Sequence, residues 1–113
     1  MTDLTRDLVL WHLAMHRGRD NGVRACDLVR EICGETSPGL ERQLRHCIEE
    51  LRLDGQHICG HPASGYFIAA TAEELDHTCQ YLHDRAIKSI RQIARMRKVA
   101  EPDLRGQLRM TEL

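Results

Sequence analysis

The chain has 113 residues, of which 42% are hydrophobic and 29% charged, and it carries a formal net charge of −1. That is one domain's worth of sequence, enough for a single core if a helix extends from it, and the composition suits a soluble globular protein. The N-terminal apolar run is too short and too interrupted for a membrane span and lacks a signal-peptide layout, so the cytoplasm is the expected location and no membrane contact is expected.

The five cysteines (Cys26, Cys33, Cys47, Cys59 and Cys79) are odd in number and never form C-x-x-C. Cys26, Cys33 and Cys47 lie in or beside helical apolar patterns, which predicts reduced packing residues rather than a disulfide framework. Charge is unevenly placed. Residues 1–84 hold 8 Arg against 14 Asp and Glu, a balance of −6, whereas residues 85–113 hold 8 cations against 3 anions, a balance of +5. Two halves of opposite sign are expected to meet different things. Bulk charge therefore does not draw the first half to nucleic acid, whose non-specific affinity comes mostly from phosphate neutralisation.

In chain order, the first predicted helix runs from about Thr5 to Arg17, with Leu4, Leu8, Trp11 and Met15 on one face and Leu10 and Ala14 beside them. Trp11, the sole tryptophan, is expected to anchor the core. Gly18 ends this helix and opens a turn to Gly22. A second helix follows from Ala25 to Cys33, turning Ala25, Leu28, Val29 and Ile32 inward, with Gly34 as its cap. After a short turn, Ser37 is a good N-cap and Pro38 suits the first helical position, where a missing N–H costs nothing. Leu40, Leu44, Cys47, Ile48 and Leu51 recur at helical spacing, and Asp54-Gly55 closes the third helix. Two short strands are predicted next, His57 to Cys59 and Tyr66 to Ala69, around the turn-rich stretch His61 to Gly65.

Beyond Ala69, Thr71 with Glu74 has the form of a capping box, and Glu73, Glu74 and Asp76 suit the positive end of a new helix. Its apolar stripe is Leu75, Cys79, Leu82, Ala86, Ile90 and Ile93, broadened by Ile87, Ala94 and Met96. With no Pro or Gly before Pro102, this helix is expected to reach about Val99. That is on the order of 40 Å, longer than so small a domain can cover. Six cations and no anion lie between Arg85 and Lys98. The expected organisation is a body at 1–70, a long basic helix at 71–100 and a loosely ordered tail at 101–113.

Two helices, a tight turn and a capped third helix form a helix-turn-helix order. The pattern Leu44-x3-Ile48-x2-Leu51-Arg52-x-Asp54-Gly55, followed by Ile58 and Gly65-Tyr66, resembles the recognition helix and wing of biotin-repressor-type winged helix-turn-helix domains. Over most of residues 5–100, and most firmly over 44–68, the chain is similar to small winged-helix proteins encoded by bacteriophages and prophages. The resemblance implies a mainly α fold with a small β-hairpin: a winged helix-turn-helix with a long C-terminal helix. In it Val23 and Arg24 would form the short strand before the second helix. Such a pattern of core and turn positions specifies fold far better than function.

The expected function is DNA binding in transcription control or phage DNA metabolism, by a homodimer. Arg42, Gln43, Arg45 and His46 occupy the first half of the Ser37 helix, the part a recognition helix presents to base edges. Arg suits guanine O6 and N7, and Gln suits adenine N6 and N7. Ser37, His61, Ser64, Arg85, Lys88 and Arg91 would position phosphates, although the wing itself carries no Lys or Arg. Leu75, Cys79, Leu82, Ala86, Ile90 and Ile93 would bury against a second copy. The alternative is a phage-type adaptor or inhibitor that docks on a host protein complex, suggested by the acidic body and uncharged wing. His57, Cys59 and His61 alternate on a strand but lack a second ligand pair, so neither a metal nor another cofactor is expected. Without a phosphate loop, nucleophile elbow or zinc-protease motif, an enzyme is not expected.

Overall fold

The structure, a computed structural model, describes residues 3–97. Expectations about the helix end near Val99 and about the tail lie outside the described residues. Four α-helices and one hairpin follow in order: α1 (Arg6–Leu13), a 3-10 turn (Arg19–Asn21), α2 (Ala25–Cys33), α3 (Pro38–Leu53), β1 (Ile58–His61), β2 (Gly65–Ile68) and α4 (Ala72–Arg97). The protein is mainly helical, with a two-stranded antiparallel hairpin and a long C-terminal helix. It divides into two compact units between Thr78 and Cys79, within α4.

In the first unit, α1, α2 and α3 pack on one another around Val9, Leu13, Leu28, Val29, Leu44, Ile48 and Leu51. Leu13, Leu28 and Leu44 are fully buried, each contributing about 1.5–3 kcal/mol through removal from water. The local signals for α2 and α3 act as their chemistry predicts. Gly34 adopts φ 82° and returns its N–H to the Arg30 carbonyl at 2.9 Å. Ser37 Oγ accepts the Leu40 N–H at 3.2 Å, with Pro38 in the first turn. Arg6, at the start of α1, reaches Glu50 at 3.4 Å and also pairs with Asp54 at the end of α3. These pairs are exposed and contribute little individually.

Two expectations about α1 are corrected. The helix stops at Leu13 rather than Arg17, because the backbone beyond it finds partners in β2. Ile68 N–H donates to the His16 carbonyl and Gly18 N–H to the Ile68 carbonyl, both at 2.8 Å. Trp11 is no core anchor: it is 60% exposed, and Met15 is 65% exposed. Val9 and Leu13 lie four residues apart on the buried face, and Trp11, midway between them, turns about 200° away. The turn after α1 is pinned by His16, whose Nδ1 faces the Asn21 carbonyl at 2.9 Å and whose Nε2 faces Glu31 on α2 at 3.0 Å.

The hairpin pairs Ile58 with Ile68, Cys59 with Phe67, Gly60 with Tyr66 and His61 with Gly65. On the other edge of β2, Val23 and Tyr66 exchange two backbone hydrogen bonds, of 2.9 and 2.7 Å, so the short segment before α2 adds an isolated bridge. Two glycines allow this approach. A Cβ on Gly65 (φ 75°) would lie 2.4 Å from the Val23 carbonyl oxygen, and one on Gly22 would lie 1.9 Å from that of Ser64.

Both faces of the hairpin are covered. Ile58, Tyr66 and Ile68 pack on the helical core. Cys59 and Phe67, on the opposite face, are buried, and Cys59 Sγ donates to the Glu74 carbonyl at 3.6 Å. The start of α4 is locked there. Thr71 Oγ1 accepts the Glu74 N–H at 3.2 Å, one half of the expected capping box. The Glu74 carboxylate then accepts from Ala70 N–H and, across the fold, from Arg19 N–H, each at 2.8 Å. In the second unit, the described part of α4 from Cys79 to Arg97 leaves Cys79, Leu82, Ala86 and Ile93 exposed and Ile90 half-buried.

Candidate nucleic-acid interface

The buried face of α3 leaves the other side of its first half to solvent, and there Arg42, Gln43, Arg45 and His46 are all exposed. Acids on the same helix stand beside two of them. Arg45 Nη2 lies 4.0 Å from Glu41, and His46 Nε2 lies 2.6 Å from Glu50. Glu41 is half-buried and also accepts from Thr36 Oγ1 at 3.3 Å, so this acid is held in the turn before the helix. Ser37 spends its hydroxyl as an acceptor on the cap, and its Oγ marks the N-terminal end of the same exposed surface. Arg52 is not part of that surface: its Nε donates to the Ile58 carbonyl at 2.9 Å and ties α3 to β1.

An open cleft of about 680 Å³ runs along this half of α3, lined by Arg42, Gln43, His46 and Cys47, by Cys33 at the end of α2 and Glu35 after it, and by Asp3 and Leu4. Its acids compete with any anion. Burial pushes the Cys33 and Cys47 thiols up from their ordinary range, with acidic neighbours adding to the effect, so both are protonated packing groups rather than nucleophiles.

His61 and Ser64 fall elsewhere. The His61 ring lies 5.8 Å from that of His77, on the hairpin face that meets the first turns of α4, and its Nδ1 accepts the Ala63 N–H at 3.2 Å. Ser64 Oγ accepts from Arg19 Nε at 3.2 Å. Together with Thr71 and Thr78 these residues border a second cleft, of about 360 Å³. Arg19 thus brings to the hairpin loop the cation that the loop's own residues lack. Nothing local in the sequence marks it, because the two partners are 45 residues apart.

Of the predicted phosphate-positioning cations on α4, Arg85 stacks over the Tyr81 ring at 5.7 Å from its centroid. Lys88 and Arg91 share a helix face with Asp84 and Ile87. The predicted seam residues from Cys79 to Ile93 lie in this unit, whereas Leu75, half-buried, belongs to the first. The five cysteines form no disulfide, and among the described residues no group of three or more His, Cys, Asp or Glu side chains is placed to hold a metal ion. Among the same residues no helix is long and apolar enough to cross a membrane. Comparison with protein-family models, curated proteins and solved structures finds no match for this chain.

Proposed function

We propose that this chain is a winged helix-turn-helix protein of biotin-repressor type that binds double-stranded DNA as a homodimer and regulates transcription or phage DNA metabolism. What carries the proposal is the exposed first half of α3. There Arg42, Gln43, Arg45 and His46 stand side by side on a capped helix held from behind by Leu44, Cys47, Ile48 and Leu51. In this role α3 enters the major groove, with Arg42, Gln43 and Arg45 on base edges and Ser37 at the phosphate-facing end. The hairpin is the wing, and Arg19 with Ser64 supplies its phosphate contact.

Replacing Arg42 and Arg45 with Ala tests the assignment. Each bidentate Arg–guanine contact contributes about 1–3 kcal/mol of discrimination, roughly 5- to 150-fold. The double variant should lose sequence preference in a selection on random duplexes while keeping its fold. Unchanged preference would remove both residues from the interface.

A second role is favoured by one observation: Trp11 on α1 and Met15 just beyond it leave apolar surface open to solvent. Tryptophan is enriched among residues that dominate protein–protein binding energy. Under this alternative the protein is an adaptor or inhibitor that docks α1 on a host complex. Nuclease-treated pull-downs comparing the parent with Trp11→Ala separate the two functions, since an adaptor loses a defined protein partner and a DNA-binding protein loses none.

A further inference from the structure

Among the described residues Thr78 is the only polar or charged side chain that is buried, with 5% of its surface exposed. A threonine inside a helix commonly turns its hydroxyl back onto the carbonyl four residues earlier. Here that carbonyl belongs to Glu74, and the Cys59 thiol already donates to it at 3.6 Å. The Thr78 hydroxyl makes no hydrogen bond to another described residue. It is not sealed in: no unpaired side-chain oxygen of a half-buried or buried residue is closed to solvent, and Thr78 lines the cleft of about 360 Å³ beside the hairpin loop. The oxygen therefore opens into that cleft. A hydroxyl placed in this way takes its partner from outside the protein.

The groups around it are left over in the same sense. Ser64 Oγ accepts from Arg19 Nε and Thr71 Oγ1 accepts from the Glu74 N–H, each at 3.2 Å, so each hydroxyl keeps its own proton for an outside acceptor. Arg19 spends Nε on Ser64, and its two terminal nitrogens form no hydrogen bond to a described residue. All four residues line the one cleft, within the first unit. Three hydroxyl protons and a guanidinium suit a ligand built of acceptors. A phosphate group, with its oxygens around one centre, meets donors from several directions at once, which a planar carboxylate does not. Two acids oppose it. Glu74 is committed, its oxygens taking the N–H groups of Ala70 and Arg19 at 2.8 Å, and Glu73 is exposed on the rim.

We propose that this cleft binds a phosphate group, held by the Arg19 guanidinium and by the hydroxyls of Ser64, Thr71 and Thr78. That the phosphate belongs to DNA rests on the proposed function; the site itself does not.

An NMR titration of the full chain with inorganic phosphate, at constant ionic strength, tests it. Phosphate should shift the amide signals of Arg19, Ser64, Thr71 and Thr78 together. Thr78→Val, which removes the hydroxyl and keeps the shape, should weaken binding at least about tenfold, the loss of one hydrogen bond to a charged group, without lowering stability in urea. Thr78→Ser should bind as the parent does, and Glu73→Gln should bind more tightly. Signals that do not move, a Thr78→Val protein that binds like its parent, or one that loses stability along with binding would overturn the site, as would weaker binding by Glu73→Gln. Anisotropy with duplex DNA then names the source. If the phosphate is that of DNA, Thr78→Val lowers affinity evenly across sequences at an unchanged salt slope, because a hydroxyl releases no counterion. If DNA affinity is unchanged beside lost phosphate binding, the site takes a free phosphate ion or monoester, and the proposal stands whether or not the chain binds DNA.

Discussion

Gly22→Ala gives the sharpest test of the packing, because local and tertiary reasoning predict opposite signs. Gly22 has φ −61° and ψ 152°, a conformation alanine adopts without strain. On local grounds the substitution would stabilise by about 0.4–1 kcal/mol through a less flexible unfolded chain. The fold forbids it: the added Cβ would sit 1.9 Å from the Ser64 carbonyl oxygen and 2.9 Å from its carbon, both backbone atoms that no rotamer change can move. Relief requires separating the turn before α2 from the hairpin loop, and the Val23–Tyr66 hydrogen bonds, of 2.9 and 2.7 Å, span that join. Losing both, beside a buried Val23, costs about 1–3 kcal/mol for each group left unsatisfied, so a net loss of roughly 2–4 kcal/mol is expected. At about 4–8 °C per kcal/mol for a domain near this size, Tm should fall on the order of 8–30 °C. Urea and thermal unfolding followed by circular dichroism measure this directly. Gly34→Ala is the control, since its φ of 82° is unfavourable but nothing lies within 4 Å, and it should cost only about 1 kcal/mol. A Gly22→Ala protein as stable as its parent would refute the close approach of hairpin and turn.

Trp11→Ala should cost less than about 1 kcal/mol in urea unfolding, against the 3–5 kcal/mol of a buried tryptophan, and iodide should quench the parent's fluorescence readily. Glu74 is held below the ordinary carboxylate range by the N–H groups of Ala70 and then Arg19, with burial opposing them weakly. Its folded pKa lies below the unfolded one, so its stabilisation is present above the unfolded value and is lost as pH falls through the folded value. Glu74→Gln should therefore flatten the acid side of a stability–pH profile, and an unchanged profile would remove Glu74 from the linkage. If Arg19 meets a phosphate beside Ser64, Arg19→Ala should lower DNA affinity evenly across sequences and reduce the salt slope by about 0.9, as read by fluorescence anisotropy at several salt concentrations.

The order of helices, the bounds of α2 and both ends of α3 were legible because their causes are local. A Ser37 hydroxyl reaches an amide three residues on, Gly34 and Gly55 take positive φ, and Leu44, Cys47, Ile48 and Leu51 share one face of their helix. The polar residues of α3 were legible as exposed for the same reason: once the buried stripe is known, the opposite face is determined. The start of α4, capped by Thr71, also follows from spacing alone.

Other features depend on segments that meet only after folding. Leu8, Val9, Leu10, Trp11 and Leu13 make α1 apolar on nearly every side, so periodicity does not choose a buried face. Packing on α2 and α3 chose Val9 and Leu13, and left Trp11 in water. The early end of α1 and the bridge at Val23 arise because backbone groups there pair with β2, some fifty residues later, a partner that the neighbouring residues do not name. The Arg19 contacts with Ser64 and Glu74 have the same origin. Caps, turns and helix faces are properties of a few adjacent residues and can be read from sequence; which apolar face is buried, and which distant backbone is met, depend on the shape of the rest of the chain and are decided only in the folded protein.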